Sequence, residues 1–188
     1  MTLLIAGLIV FIAIHLVPTM PAHRAALIAR FGENGYKGLF SLASLLGLVL
    51  IVWGYGQYRA GGYIPLWNPP RGMNHLAVTL MWFSFVALAA AYSPAGMIKG
   101  VLKHPMLVAV KIWALAHLLA NGDLGSIILF ATLLAYAVYD RISVKKRGDA
   151  GAAKQPFGTG DIIALGIGTV AWGAMIFLHR SIIGVPVL

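Results

Sequence analysis

Six runs of mostly apolar residues divide this 188-residue sequence. A helix needs about 20 mostly apolar residues to cross the hydrocarbon core of a bilayer. Backbone N–H and C=O groups find no water at that depth, so a helix that satisfies them internally is the form such runs adopt. We therefore predict an all-α integral membrane protein, a bundle of about six transmembrane helices forming one domain over residues 1–188. The predicted spans are residues 1–18, 38–57, 74–92, 105–121, 124–140 and 160–180.

The shortest break between two runs is Asn121-Gly122-Asp123. We predict a tight helical hairpin there, with Gly122 as a left-handed C-cap and Asp123 at the start of the next helix. The first run, residues 2–17, has no basic segment before it and no small-residue cleavage site after it. We therefore expect a retained first span instead of a cleaved signal peptide.

The composition excludes a water-soluble globule. Hydrophobic residues make up 60% of the chain and charged residues 10%, whereas soluble domains carry about 25% charged residues. The charge balance is basic, with 14 Lys and Arg against 5 Asp and Glu. A nucleic-acid binder needs its cations on one exposed face, but a membrane protein uses them to set its orientation. We predict no nucleic-acid partner.

The basic residues are divided unevenly between the two sides of the predicted bundle. Ten of them lie in three connections on one side, residues 18–37, 93–104 and 141–159. The other four are Arg59, Arg71 and Arg180 on the opposite side and Lys111 inside a span. Because basic loops stay in the cytoplasm, we predict that both termini lie on the non-cytoplasmic side.

The chain contains no cysteine. Disulfides, thiolate catalysis and iron–sulfur clusters are thereby excluded, as is the covalent attachment of a c-type haem. Any haem in this protein would be held without a covalent bond to the chain.

The connection at residues 58–73 carries Tyr58, Tyr63 and Trp67 among glycines and prolines. Aromatic side chains are enriched where a membrane protein meets the headgroup region, so an aromatic belt explains them. A lid over a pocket that opens outward is the alternative that the sequence leaves open.

Ionisable residues inside membrane spans indicate function, because they are costly to place there. His15 follows Gly7 and Phe11 at intervals of four residues, and His117 follows Ala109 and Trp113 in the same way. Residues four apart lie on one face of a helix. A neutral imidazole is a common ligand of metals and of haem iron. Gly7 would let another helix or a flat ligand approach closely, and the small Ala109 and flat Trp113 suit the wall of a planar apolar cofactor. A lone histidine hydrogen-bonded to a neighbouring carbonyl is the alternative for each site.

His104 and Lys111 form a second candidate pair near the cytoplasmic end of the fourth run. Helical periodicity places them on one face, about 20° apart, where they would meet an anionic group such as a propionate or a phosphate. Snorkelling of Lys111 toward the cytoplasm is the alternative. A haem tilted toward the membrane plane would pair His15 with His117, and an upright haem would pair His15 with His104. The residues alone leave both pairings open.

Two blocks of the sequence resemble the NnrU family. The first runs from His15-Leu16-Val17-Pro18 through Arg24 to Arg30-Phe31-Gly32-Glu33 and Gly38–Leu42, and the second runs from Lys103–Leu107 to Trp113–Asp123. The resemblance covers nearly the whole chain. It implies a multi-pass protein of the bacterial inner membrane that is linked to nitric oxide and nitrite metabolism in denitrification.

The same residues are similar to those of zeta-carotene isomerase, a plant and cyanobacterial relative of the family. That enzyme is a membrane haem b protein that isomerises a cis double bond of a polyene. The shared pattern is a His in the first span with an Arg downstream, and a basic-His-Pro block with a second His 13 residues later. The resemblance implies haem b with His15 and His117 as its iron ligands. Further candidates for cofactor binding are Arg24, His104, Lys111 and Trp113.

Lys103-His104-Pro105 also resembles the basic-His-Pro motif that isoprenylcysteine-type membrane methyltransferases use for S-adenosylmethionine. Those enzymes place acidic residues near the end of the catalytic region, whereas the last run here contains only Asp161. This departure makes the methyltransferase the weaker interpretation.

We therefore expect a haem-b membrane protein of the NnrU type. It would act in nitrogen-oxide metabolism or as a haem-dependent isomerase on an apolar polyene. A non-enzymatic assembly partner of a nitric oxide or nitrite reductase is the first alternative, and the methyltransferase is the second.

Overall fold

A computed structural model describes residues 1–187, and over those residues the chain is helical without any β-strand. The helices are α1 (Thr2–Leu16), α2 (Pro21–Ala60), α3 (Met73–Tyr92), α4 (Met97–Leu102), α5 (Pro105–Ala120), α6 (Leu124–Lys146) and α7 (Thr159–Ile183), with a 3-10 turn at Val17–Thr19. Five helical segments are long and apolar enough to cross a membrane, and α5, with 16 residues, is a shorter apolar helix. The predicted all-helical membrane class is confirmed at this level.

Helix α2 is twice as long as the predicted 38–57 span. It has 40 residues and begins at Pro21. Proline is favoured at the first position of a helix, so Pro21 starts α2 instead of only ending the helix before it. Most of the 18–37 connection is therefore helical, a feature that the apolar runs did not predict. The helix bends at Gly32, whose φ of 73° and ψ of 166° are accessible only to glycine.

The turn between α5 and α6 also differs from the prediction. Asn121 ends α5 in an extended conformation, and Gly122 does not have the positive φ of a left-handed cap. Glycine is needed at this position for another reason, since a Cβ would lie 1.8 Å from the carbonyl oxygen of Trp67. The Trp67 N–H donates to the Gly122 carbonyl at 3.0 Å. Asp123 starts α6 as predicted, because its carboxylate accepts the N–H of Ser126 at 2.9 Å.

The chain divides into two compact units. The first unit contains residues 1–66 and 123–132, and the second contains residues 67–122 and the chain from Leu133 onward. Helices α1 and α2 form most of the first unit, and α3, α4, α5 and α7 lie in the second.

In the first unit, α1 and α2 pack backbone against backbone. A Cβ on Gly54 would lie 2.2 Å from the Leu4 nitrogen, and one on Gly47 would lie 2.8 Å from the Phe11 nitrogen. Gly7 of α1 has the same role, since its Cβ would lie 2.6 Å from the Ile51 nitrogen. Glycines of this kind let membrane helices approach closely where hydrocarbon offers no hydrophobic drive.

In the second unit, α3 packs against both α5 and α7. The Ser84 hydroxyl donates to the Ala109 carbonyl of α5 at 2.8 Å. On the other side, the Trp172 indole of α7 donates to the Val78 carbonyl at 2.9 Å. Such hydrogen bonds replace water for polar groups inside the bilayer.

Tyr58, predicted to lie in the 58–73 connection, is instead buried in the last turn of α2, so it was wrongly assigned to an exposed aromatic belt. The connection between α2 and α3 is held to the start of α6. Within the first unit, the Ile64 N–H donates to the Tyr58 hydroxyl at 2.9 Å, and the Leu124 N–H donates to the Ile64 carbonyl at 2.9 Å. Pro65 and Asp123 form an isolated antiparallel bridge. Tyr63 remains exposed, which suits a residue of the predicted aromatic belt.

Candidate functional site

His15 lies at the last turn of α1, in the first unit. Its ring stacks on Phe11, with centroids 4.0 Å apart and planes 25° apart. The imidazole Nδ1 donates to the Phe11 carbonyl oxygen at 2.7 Å. The predicted line of Gly7, Phe11 and His15 is confirmed, and at Gly7 it is another helix, α2, that approaches closely.

Arg24 belongs to the same cluster as His15. The ring of Phe40 lies 5.1 Å from that of His15, and the ring of Tyr36 lies 6.2 Å from Phe40. The Arg24 guanidinium lies 5.7 Å from the centroid of the buried Tyr36 ring. The sequence pattern of a first-span His and a downstream Arg thus corresponds to one aromatic-bridged cluster in the first unit.

His117 lies in the last turn of α5, in the second unit. Its ring is 5.2 Å from that of Trp113, and its Nδ1 donates to the Trp113 carbonyl at 2.8 Å. The Asn121 amide donates to the His117 carbonyl at 2.8 Å. Along the predicted line, Trp113 contacts His117 and His117 contacts Asn121. Ala109 is buried, and its carbonyl accepts the Ser84 hydroxyl of α3.

His15 and His117 share one local arrangement, an aromatic residue four positions earlier that supplies both a ring neighbour and a carbonyl acceptor. A carbonyl oxygen only accepts, so Nδ1 must carry the proton in each ring. In neutral imidazole the lone pair then resides on Nε2. Metal-bound histidines have this arrangement, with one ring nitrogen donating to a carbonyl and the other facing the metal. The donor chemistry of both side chains therefore fits haem iron.

His104 directly precedes α5, and Lys111 lies within that helix. His104 has non-helical φ and ψ of −124° and 70°. Its carbonyl accepts the Val108 N–H at 3.2 Å, the first hydrogen bond of α5. The common face of His104 and Lys111 stays a prediction. Lys111 is half-buried on α5.

The surroundings of His104 come from the loop that follows α6. Among the described residues its Nε2 is buried without a hydrogen-bond partner, and the Asp149 carboxylate lies 4.0 Å away. A Cβ on Gly151 would lie 2.8 Å from that nitrogen. No group of three or more His, Asp or Glu side chains that could hold a metal ion occurs in the described part of the chain.

Sequence reasoning missed the polar network at the end of α2 in the first unit. The Ser126 hydroxyl donates to the Asp123 carboxylate at 2.6 Å, so the Tyr55 hydroxyl must donate to Ser126, at 2.7 Å. Ser126 is fully buried. The N-cap pattern at Asp123 was visible in the sequence, but the partner 71 residues away on α2 was not.

Sequence reasoning also missed the part played by Asp161. This buried carboxylate accepts the N–H groups of Met97 and Ile98 at the start of α4 and of Gly158 before α7, at 2.7 to 2.9 Å. Its oxygens are occupied by backbone donors, which is a structural function. Asp161 stands three residues after the N-cap Gly158 and accepts its N–H, which is the acidic half of a capping box, and that spacing was the available signal.

Comparison with known proteins gives one match. A family model described as NnrU protein matches residues 3–187. No curated protein and no solved structure matches the chain.

Proposed function

The chain belongs to the NnrU family, and on that premise we propose that it is a haem-b-binding membrane protein with His15 and His117 as the iron ligands. The role we propose for it is in nitric oxide and nitrite metabolism, at the bacterial inner membrane. The observation that carries the proposal is the arrangement common to the two histidines.

The Nδ1–H bond to a carbonyl does two things for each imidazole. It fixes the tautomer, so that Nε2 presents a lone pair, and it makes that nitrogen a stronger ligand. The rings of Phe11 and Trp113 restrict rotation of the imidazoles beside them. Two unrelated stretches of sequence, in α1 and α5, thus prepare the same donor atom.

Arg24 and Lys111 would supply the positive charges that the haem propionates need. Haem supplies a redox-active iron that takes nitric oxide as a ligand, and it carries two propionates that need counter-charges. Arg24 lies in the cluster of His15, where its guanidinium can pair with a carboxylate in bidentate fashion. Lys111 is the corresponding cation on α5. The zero cysteine content requires that any haem be held by such non-covalent contacts.

The test is an absorption spectrum of the purified protein from cells supplied with a haem precursor. We expect a Soret band that changes on reduction and again on addition of nitric oxide. A haem-replete preparation without a Soret band would contradict the proposal. Binding of S-adenosylmethionine by such a preparation would favour the methyltransferase instead.

The assembly-partner alternative predicts a different result from the same sample. In this alternative the protein binds haem, transfers it to a nitrogen-oxide reductase and co-purifies with that reductase. Retention of haem when that reductase is added in its haem-free form contradicts this alternative.

A further inference from the structure

One end of the second unit gathers two connections of the chain onto the short helix α4. The Ala152 N–H donates to the Lys103 carbonyl at 3.0 Å, and a Cβ on Gly100 would lie 2.9 Å from the Lys154 Cα. We call this surface, formed by α4, the Lys103–His104 turn and residues 145–154, the basic end. Seven cations belong to the two connections: Lys99, Lys103, Arg141, Lys145, Lys146, Arg147 and Lys154.

Lys103 has a backbone conformation that is unfavourable for a lysine. Its φ of 62° and ψ of −53°, with the His104 N–H donating to the Leu102 carbonyl at 2.7 Å, define a classic γ-turn. The other residues with positive φ among those described are all glycines. Glycine would adopt this turn without steric cost. Since the Lys103 side chain is exposed, packing inside the protein does not account for a lysine at this position.

The acidic residues of this region neutralise little of its charge. Asp161 is surrounded by backbone N–H groups, and Asp140 lies 3.8 Å from Arg147. Asp149 accepts the Gly151 N–H and faces His104. Four exposed lysines remain at the basic end, namely Lys103, Lys145, Lys146 and Lys154.

Exposed apolar side chains occur on the same short stretches of the chain as these lysines. Met97 and Val101, one turn apart on α4, are 43% and 66% exposed. Phe157, three residues after Lys154, is 54% exposed. Cations next to exposed apolar side chains on a short helix are characteristic of a surface that lies in the headgroup region of a bilayer.

We propose that the basic end binds the headgroup of an anionic phospholipid, with Lys103 and Lys154 at the phosphate. Met97 and Val101 of α4 adjoin the first part of the acyl chains. Charge complementarity selects an anionic over a zwitterionic lipid, and the apolar side chains select a lipid over a free anion. The strained turn holds the Lys103 side chain at this surface, which is why a lysine is present where glycine would be easier.

The experiment uses the full chain in neutral detergent with one fluorescent probe. The chain has no cysteine, so Ala150→Cys gives a single labelling position on the exposed loop. Short-chain phosphatidylglycerol, short-chain phosphatidylcholine and inorganic phosphate are titrated at constant ionic strength. We expect phosphatidylglycerol to saturate the probe response at the lowest concentration. Equal midpoints for the two lipids, or a full response to inorganic phosphate at the midpoint of phosphatidylglycerol, would overturn the proposal.

Three variants in the labelled background separate the lysine side chain from the fold. Lys103→Gln should weaken phosphatidylglycerol binding about fivefold, as expected for one cation at an anionic surface. Lys103→Gly should weaken binding equally and raise the melting temperature, because it relieves the turn. Lys37→Gln is the matched control, an exposed lysine of the first unit that pairs with Glu33 at 2.7 Å. Unchanged binding by Lys103→Gln, or a loss of the same size in Lys37→Gln, would contradict the assignment.

Discussion

The two histidines of the proposed site gain their chemistry from their own helical turns. An aromatic residue four positions earlier and a carbonyl acceptor fix Nδ1 as the protonated nitrogen in both. The aromatic-x-x-x-His spacing was visible in the sequence and predicted that each aromatic residue and its histidine share one helix face. The tautomer could not be predicted. A helix carbonyl normally accepts the backbone N–H four residues later, and the sequence does not show that an imidazole also donates to it.

Asp161 provides a prediction at the level of a single residue. In Asp161→Asn, one carboxylate oxygen becomes an NH₂ group that faces backbone N–H donors at Met97, Ile98 or Gly158. We expect a melting temperature several degrees lower, since buried donors then lose a charged acceptor. Thermal unfolding in detergent measures this.

Asp149→Asn is the matched control for that substitution. Asp149 is exposed and accepts one N–H, that of Gly151. The control should unfold within about a degree of the parent chain, because exposed polar contacts contribute little. Equal losses in the two variants would show that burial of Asp161 is not what matters.

Among the helices, the pair α1 and α2 gives the sharpest prediction. Gly54→Ala places a methyl group 2.2 Å from the Leu4 nitrogen, so the helices must separate. We expect a loss of about 1–3 kcal/mol in the free energy of unfolding, typical of overpacking. Chemical denaturation in mixed micelles measures it.

Gly56→Ala is a control two residues away on the same helix. A Cβ on Gly56 meets nothing within 4 Å. The substitution should be neutral or stabilising by up to about 1 kcal/mol, because alanine favours helix more than glycine does. A loss for Gly56→Ala as large as that for Gly54→Ala would refute close packing as the cause.

How well the sequence predicted each element depended on the physical signal it carried. Apolar runs located all the long helices, because burial in hydrocarbon imposes both length and composition. That signal is absent from residues 21–37, which are polar yet helical, and from the six residues of α4. The error at Gly122 had another origin, since its need for glycine comes from Trp67, which is distant in the sequence.

For the whole molecule, we propose that the basic balance sets the orientation in the membrane. The connections 93–104 and 141–159 lie together at one end of the second unit. The Ala152 N–H donates to the Lys103 carbonyl, and the Asp161 carboxylate accepts the Met97 N–H. These two connections hold seven of the 14 basic residues. Basic segments beside membrane helices remain in the cytoplasm.

Reporter fusions test that orientation directly. Alkaline phosphatase fused after Ala150 should be inactive, because it stays in the reducing cytoplasm, and the same reporter after Gly72 should be active. A green fluorescent protein should give the opposite pattern. An exported, active phosphatase at Ala150 would reverse the predicted topology.

The central claim is that His15 and His117 ligate haem iron, and haem content in a histidine series tests it most directly. His15→Ala, His117→Ala, His104→Ala and His179→Ala are purified under identical conditions, and their Soret absorbance per chain is compared. His179 is the matched control, since its Nδ1 also donates to a backbone carbonyl, that of Val185, but no aromatic residue precedes it by four. We predict that the first two variants lose haem and that the last two retain it. Loss of haem in His104→Ala alone, with full retention in His15→Ala and His117→Ala, would contradict the assignment.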